Sequence, residues 1–452
     1  MRLALLFVVA LCACYSQVSP SPCTLTCDST TPCPENLVCG DDLRCHTPGQ
    51  SACVGELAPV ASPDSSPSDL FGSALALSAD GSTLVVGAPH ADGVGAAYVF
   101  AWDGATYVAE ATLTAPVSDV DDGFGAAVAI SADGSVIAVG APFEDSAASG
   151  FGGNASDNTL ANAGAIFVFR RNSGWATEYI KAAAPAQSAE LGASVALAAD
   201  ASLLVAGSPG PGNASQYIFL FGLSARQETL YVSLNTTPTD RVGGTIELSD
   251  DGLLMAAGIP LDNGSSNDLP EAGALYAQRL SLAPRGKVRP TPTEAGDQFG
   301  SDVALSANGD RMAVGSPMDD SSAPGIGGDP LDNSMTDAGA TWVFRIDANV
   351  WTQQVYLKAA SPQPRARFGT SVAMSGNGAT VVIGAPGEDS GAGAAYLYTF
   401  EGSSPLPARR IPPSEPAAGD QFGTNVAIST DGSTVVIGAP HASSGGRVYV
   451  MR

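Results

Sequence analysis

Residues 71–89 read FGSALALSADGSTLVVGAP, and this stretch decides the fold. Its first and last parts alternate or run apolar over lengths suited to strands, and Ala79-Asp80-Gly81 between them has the composition of a tight turn. The unit recurs. An apolar residue followed by glycine opens it at Phe71, Phe124, Leu191, Val242, Phe299, Phe368 and Phe422, and a Gly-x-Pro triplet closes it at Pro89, Pro142, Pro209, Pro260, Pro317, Pro386 and Pro440. The opening residue and the proline are separated identically in all seven copies. Ten residues after each opening residue stands a glycine (Gly81, Gly134, Gly252, Gly309, Gly378, Gly432), where closing a hairpin calls for a left-handed backbone; Ala201 is the exception. The Gly-x-Pro triplet is expected to let the second strand pass close to a neighbour and then to stop it, because proline cannot donate to a ladder.

Beyond each proline a loop of variable length leads to a third β-rich stretch, such as residues 95–100, 164–169 and 339–344. A fourth, less regular one follows, as at residues 107–115 and 355–360. Four antiparallel strands repeated seven times predict an all-β, seven-bladed β-propeller. The last copy ends after a third strand at residues 446–450, and residues 54–59 resemble the fourth strands of the other copies. That segment is expected to complete blade seven and close the ring, removing two open sheet edges. The expected organisation is therefore a signal peptide at residues 1–13, a Cys-rich module at 14–53 and the propeller at 54–452.

Acidic residues outnumber basic ones 45 to 20, a net charge of -25 that repels phosphate backbones and argues against a nucleic-acid partner. Arg2 precedes an apolar run over residues 3–11, too short to span a bilayer and suited to a signal-peptide core. Leu11-Cys12-Ala13-Cys14 resembles a bacterial lipobox, which implies lipidation of Cys14, and Tyr15 after it implies outer-membrane sorting. Cys23, Cys27, Cys33, Cys39, Cys45 and Cys53 form an even set in an exported chain and read as three disulfides of open connectivity. A zinc site is the alternative, which spacings of five or so residues disfavour.

The sevenfold repeat, opening with Phe-Gly in five copies and closing with Gly-Ala-Pro in four, resembles the FG-GAP repeats of the integrin α-chain head and of bacterial exported relatives. The resemblance covers residues 71–452 and implies a propeller used for adhesion or protein recognition. Integrin-type repeats often carry a DxDxDG calcium loop between the first two strands. Here the corresponding loop holds Asp80 alone or its equivalent, too few oxygens for calcium, so no cofactor is expected.

Function is expected on the loops joining strands two and three, which emerge with the four-to-one loops on one face and are longest at residues 143–163 and 318–338. Their acidic starts, Asp92, Glu144, Asp145, Asp262, Asp319, Asp320, Glu388 and Asp389, suggest a partial carboxylate crown. Asp145, Asp157, Asn158, Asp320, Asp332 and Asn333 are candidate metal ligands, against the plainer reading that repeated Asp and Asn make turns. His90 and His441 hold equivalent places after Gly-Ala-Pro in blades one and seven; repeat copying explains them, and no GxSxG, HExxH or P-loop pattern is present. Trp102, Trp175, Trp342 and Trp351 are expected to pack between blades. The expectation is a monomeric, non-enzymatic surface module, secreted or a lipid-anchored outer-membrane or cell-surface protein, that recognises a protein or glycan. A purely structural envelope protein and a propeller-centre hydrolase are the alternatives.

Overall fold

The computed structural model describes residues 57–452 apart from 65, 67, 212–216, 233–238, 265–267, 281–286, 348–349 and 444, together with residues 38–39 and 45–46. The chain divides into two units, Met1–Glu56 and Leu57–Arg452. In the first, Val38–Cys39 pairs antiparallel with Cys45–His46, setting Cys39 opposite Cys45 along the backbone. The expectations for residues 1–13, Cys14, Cys23, Cys27, Cys33, Cys53 and residues 54–56 lie outside the described residues.

The second unit is a seven-bladed propeller with almost no helix. Blade one is the antiparallel sheet Ala74–Leu77, Thr83–Ala88, Ala96–Trp102 and Tyr107–Leu113. Blades two, three and five repeat its four-stranded order. In blade four the described residues give three strands, with the fourth represented by a bridge from Leu275 to Val288. In blade six the third strand, Ala394–Glu401, carries both Ser404–Pro405 and Arg409–Ile411. Blade seven comprises Asn425–Ile428, Val435–Ala439 and Arg447–Met451, and its fourth strand is Ala58–Val60, with Ala58, Pro59 and Val60 opposite Val450, Tyr449 and Val448.

The repeated turn is built from its own side chains. In blade one Ser78 Oγ donates to Asp80 Oδ1 at 2.9 Å, the Ser82 amide donates to the same oxygen at 2.8 Å, and the Thr83 amide donates to Ser78 Oγ at 2.9 Å. The same set recurs around Asp133 and Asp431. These bonds, led by the Ser82 amide, hold the Asp80 carboxyl below the usual range. The acid of each of these three hairpins is therefore a turn cap. Gly81 sits at φ +64°, and Ala201 adopts the same left-handed backbone at φ 53°.

The two motifs meet across the gaps between blades. The opening glycine of a blade donates its N–H to the Gly-x-Pro glycine of the same blade, as from Gly125 to Gly140 at 3.0 Å. Its own carbonyl then presses on the Gly-x-Pro glycine of the preceding blade. A Cβ added to Gly87, Gly140, Gly207, Gly258, Gly315, Gly384 or Gly438 would lie 1.9–2.3 Å from that carbonyl oxygen. Only hydrogen fits there. Among the described residues, parallel bridges such as Gly95 to Phe124 and Gly393 to Phe422 complete six of the seven seams.

The core is distributed between neighbouring blades. One cluster joins Val99 and Leu113 of blade one to Phe124, Ile137 and Phe167 of blade two; another joins Leu254 and Leu275 of blade four to Val314, Trp342 and Phe344 of blade five. The opening aromatics are fully buried, Phe71 edge-on to Tyr98 at 5.5 Å and Phe368 to Tyr396 at 5.2 Å. Each such burial contributes about 2–3 kcal/mol.

Candidate functional site: the loop face

Blades two and five present twin loops. In each, the chain leaves the second strand, turns back onto the outer edge of its own blade and bridges the fourth strand: Phe151 to Ile180, and Ile326 to Leu357. Ser146 Oγ donates to the Asn154 carbonyl at 2.9 Å and Ser321 Oγ to the Asp329 carbonyl at 2.8 Å, closing both loops alike.

The first acid of each loop points inward. Glu144 is buried, accepting from Lys181 Nζ at 2.6 Å, Tyr179 OH at 2.6 Å and the Ser146 amide at 3.1 Å. Asp319 is buried likewise, with one oxygen accepting from Lys358 Nζ at 2.9 Å, Tyr356 OH at 2.7 Å and the Ser321 amide at 3.1 Å. Burial lowers the affinity of both lysines for their protons, while the facing carboxylate works the other way. Burial, reinforced by the carboxylate each one touches, holds the Tyr179 and Tyr356 hydroxyls far above their ordinary range, so they act as donors. Asp262 is paired with Lys287 and Arg289, and Glu388 with Arg410 at 2.7 Å and Tyr396 OH at 2.6 Å.

The second acids cap backbone. Asp145 Oδ1 accepts from the Asn162 amide and Asp320 Oδ1 from the Asp337 amide, both at 2.7 Å. Asp389 is exposed and bound to Arg410 and Gln363. Asp157 accepts from Thr159, and Asp332 from the amide and hydroxyl of Ser322. Asn158 reaches across to Asp119 at 2.7 Å, and Asn333 to Glu294 at 3.5 Å, each linking a long loop to the four-to-one loop beside it. The expected crown thus resolves into separate internal anchors, with Asp92 exposed outside them. Among the described residues no group of three or more His, Cys, Asp and Glu side chains is placed to hold a metal ion.

Sequence reasoning passed over the cations. The chain has three lysines, Lys181, Lys287 and Lys358, and each is buried against a loop acid. A Tyr-aliphatic-Lys-Ala string occurs at residues 179–182 and 356–359, the fourth strands of the two long-loop blades, so the pairing had a signal. It also passed over aspartates two residues before the opening aromatic. Burial pushes Asp122 up to about 6 and Asp297 up to about 7, the latter raised further by Asp319, Glu294 and Asp320.

The face carries apolar groups as well. Val120 is 72% exposed and Phe143 45%, beside exposed Asp119 and Asp121; on the twin loop Leu331 is 60% exposed. The opposite face bears the short hairpins, where Arg452 stacks on Trp102 at 4.5 Å and Arg171 on Trp175 at 4.9 Å. Trp342 is buried between blades four and five, with Trp351 packed against the same cluster. His90 and His441 are exposed. The axial channel is lined by the first strands of all seven blades. Its acids include Asp250, Asp302, which accepts from Thr245 and the Val303 and Val372 amides, and Glu247, pushed up to about 8 by burial and then by Asp302 and Asp250.

Comparison with known proteins gives three findings. The family described as FG-GAP repeat matches residues 55–100, 351–398 and 408–451. Human Integrin alpha-11 is 31% identical over 141 residues, which is 28% of this chain and 11% of that relative's length. Among solved structures, Kuenenia stuttgartiensis Hydrazine Synthase superposes with a TM-score of 0.55 at 12% identity, covering 87% of this chain and 98% of that one. The Cps50 (Swd1) beta-propeller domain of Myceliophteria thermophila gives 0.54 at 10% identity, covering 87% and 99%. At such identities the likeness concerns the fold.

Proposed function

We propose, taking as premise that this chain is a seven-bladed propeller carrying FG-GAP repeats, that its loop face docks a protein partner outside the cytoplasm and performs no chemistry itself. The observation that carries the reading is the pair of anchored loops in blades two and five. Their first acids, Glu144 and Asp319, are committed to internal ion pairs, while Val120, Phe143 and Leu331 stand exposed at or beside the loops. Loops held in one conformation lose little entropy on binding, and exposed aromatic and aliphatic groups in a polar rim suit the centre of an interface. The acidic surroundings favour a partner with basic groups, steered by a field that salt screens. The apolar leader and the clustered cysteines support a location at the cell surface or beyond it.

The test compares the mature protein with a variant in which residues 146–161 and 321–336 are replaced by short turns. Both are used to capture partners from envelope and extracellular-matrix extracts at two ionic strengths. The reading expects a basic protein retained by the native loops, lost on trimming and weakened by salt. Equal capture by both forms, or capture only of polysaccharide, overturns it.

A further inference from the structure

Between the outer strands of blades four and five lies a cleft of about 360 Å³, separate from the twin-loop surface. One wall is apolar: Leu254 and Phe344 are buried, with Ile346 and Trp351 packed against the same cluster. The other wall is cationic, formed by Arg279, Lys287 and Arg289 in a chain whose net charge is -25. Lys287 and Arg289 are paired with Asp262, and Lys287 also lies 3.8 Å from Asp240. Two cations therefore face two carboxylates. Arg279 is left over; half-buried, its side chain makes no ion pair or hydrogen bond among the described residues, although its backbone pairs with Leu254. The Arg289 Nε–H is buried with no acceptor. An unpaired buried donor is costly to keep away from water, and an incoming acceptor would recover that cost. Gln353 closes one end, accepting from the Thr291 amide at 2.9 Å and donating to the Thr291 carbonyl at 3.2 Å.

We propose that this cleft binds a small organic monoanion, a carboxylate on a flat apolar body, with the carboxylate on Arg279 and Arg289 and the body against Trp351 and Ile346. The charge count selects one negative charge, since among the described residues a single lining cation is uncompensated. Planar guanidinium forks match a carboxylate's geometry. The volume lies near the lower end of ligand pockets, roughly 300–1,000 Å³, which suits one or two fused rings.

The experiment titrates the full-length mature protein with 2-naphthoate and benzoate by calorimetry, with 2-naphthylmethanol and inorganic phosphate as controls. Arg279→Gln and Trp351→Ala are titrated in parallel. The expected result is saturable one-to-one binding of 2-naphthoate with a Kd on the order of 0.1–1 mM, weakened about tenfold or more in the neutral alcohol and in Arg279→Gln. Failure of both acids to saturate by about 10 mM overturns the proposal. So does equal binding of the alcohol, which marks a merely apolar cleft, or phosphate binding as tightly as naphthoate, which marks a bare cationic patch. The acid-against-alcohol comparison is made on the unmodified protein and stands whether or not either variant folds.

Discussion

Substituting Gly315 by alanine isolates the contact that holds adjacent blades at their spacing. The added Cβ would stand 1.9 Å from the Gly369 carbonyl oxygen and 3.0 Å from its carbon. That is roughly 1.5 Å inside ordinary van der Waals contact. The obstacle is backbone, so no side chain can rotate away. The φ of Gly315 is not left-handed, so the cost arises from the overlap and not from forcing alanine into a glycine conformation. Overpacking a tight interior by a methyl costs about 1–3 kcal/mol where side chains can shift. Here the blade-five to blade-six seam must open, and the expected loss is about 3–5 kcal/mol. Gly174 is the control, since its φ is also not left-handed and an added Cβ meets nothing within 4 Å. Gly174→Ala is expected to be neutral or to stabilise by about 0.4–1 kcal/mol through the unfolded chain. Urea unfolding followed by far-UV circular dichroism measures both. Unfolding free energies for the two variants that agree within about 1 kcal/mol would refute the packing argument.

Two further outcomes follow from the buried charges. Lys181→Met strands Glu144 in the interior and is expected to cost about 3–5 kcal/mol and to raise amide exchange across residues 145–163, whereas Glu144→Gln/Lys181→Met recovers most of the loss; a double variant no better than the single one would sink the idea. Asp297 has its folded-state pKa raised from 3.8 to about 7, so its ionisation opposes folding above pH 7 and that penalty fades as pH falls toward 4. Asp297→Asn should then stabilise by on the order of 2–4 kcal/mol at pH 8 and by almost nothing at pH 4, read from thermal unfolding across that range; a pH-independent effect would contradict it.

The repeat, its strand order and the hairpin glycines were legible because they rest on local rules: alternation, turn chemistry and proline's missing donor. Ala201 could be singled out by position, and it does take the left-handed backbone of the glycines it replaces. The reason for the Gly-x-Pro glycine was only half visible. Close approach was expected, but that the partner is the opening glycine of the next blade depends on a contact between repeats that no single repeat encodes. The acids at the loop starts were visible, whereas their engagement was not, because Glu144 meets Lys181 only once the loop has folded back across the blade. The scarcity of lysine was the overlooked clue, since three lysines in so acidic a chain, two of them in matching Tyr-aliphatic-Lys-Ala strings, imply assigned partners.

That scarcity gives the protein an unusual chemical surface. Lys181 and Lys358 have fully buried side chains and Lys287 is only 9% exposed, so the propeller shows reagents that acylate amines almost nothing to react with. Glycation, amine-directed conjugation and lysine cross-linking will leave the folded ring nearly untouched. When an anchored loop lifts, however, a single amine is released with it. Acylation of Lys181 and Lys358, resolved by mass spectrometry, therefore clocks the opening of each loop separately, with no probe added to the molecule.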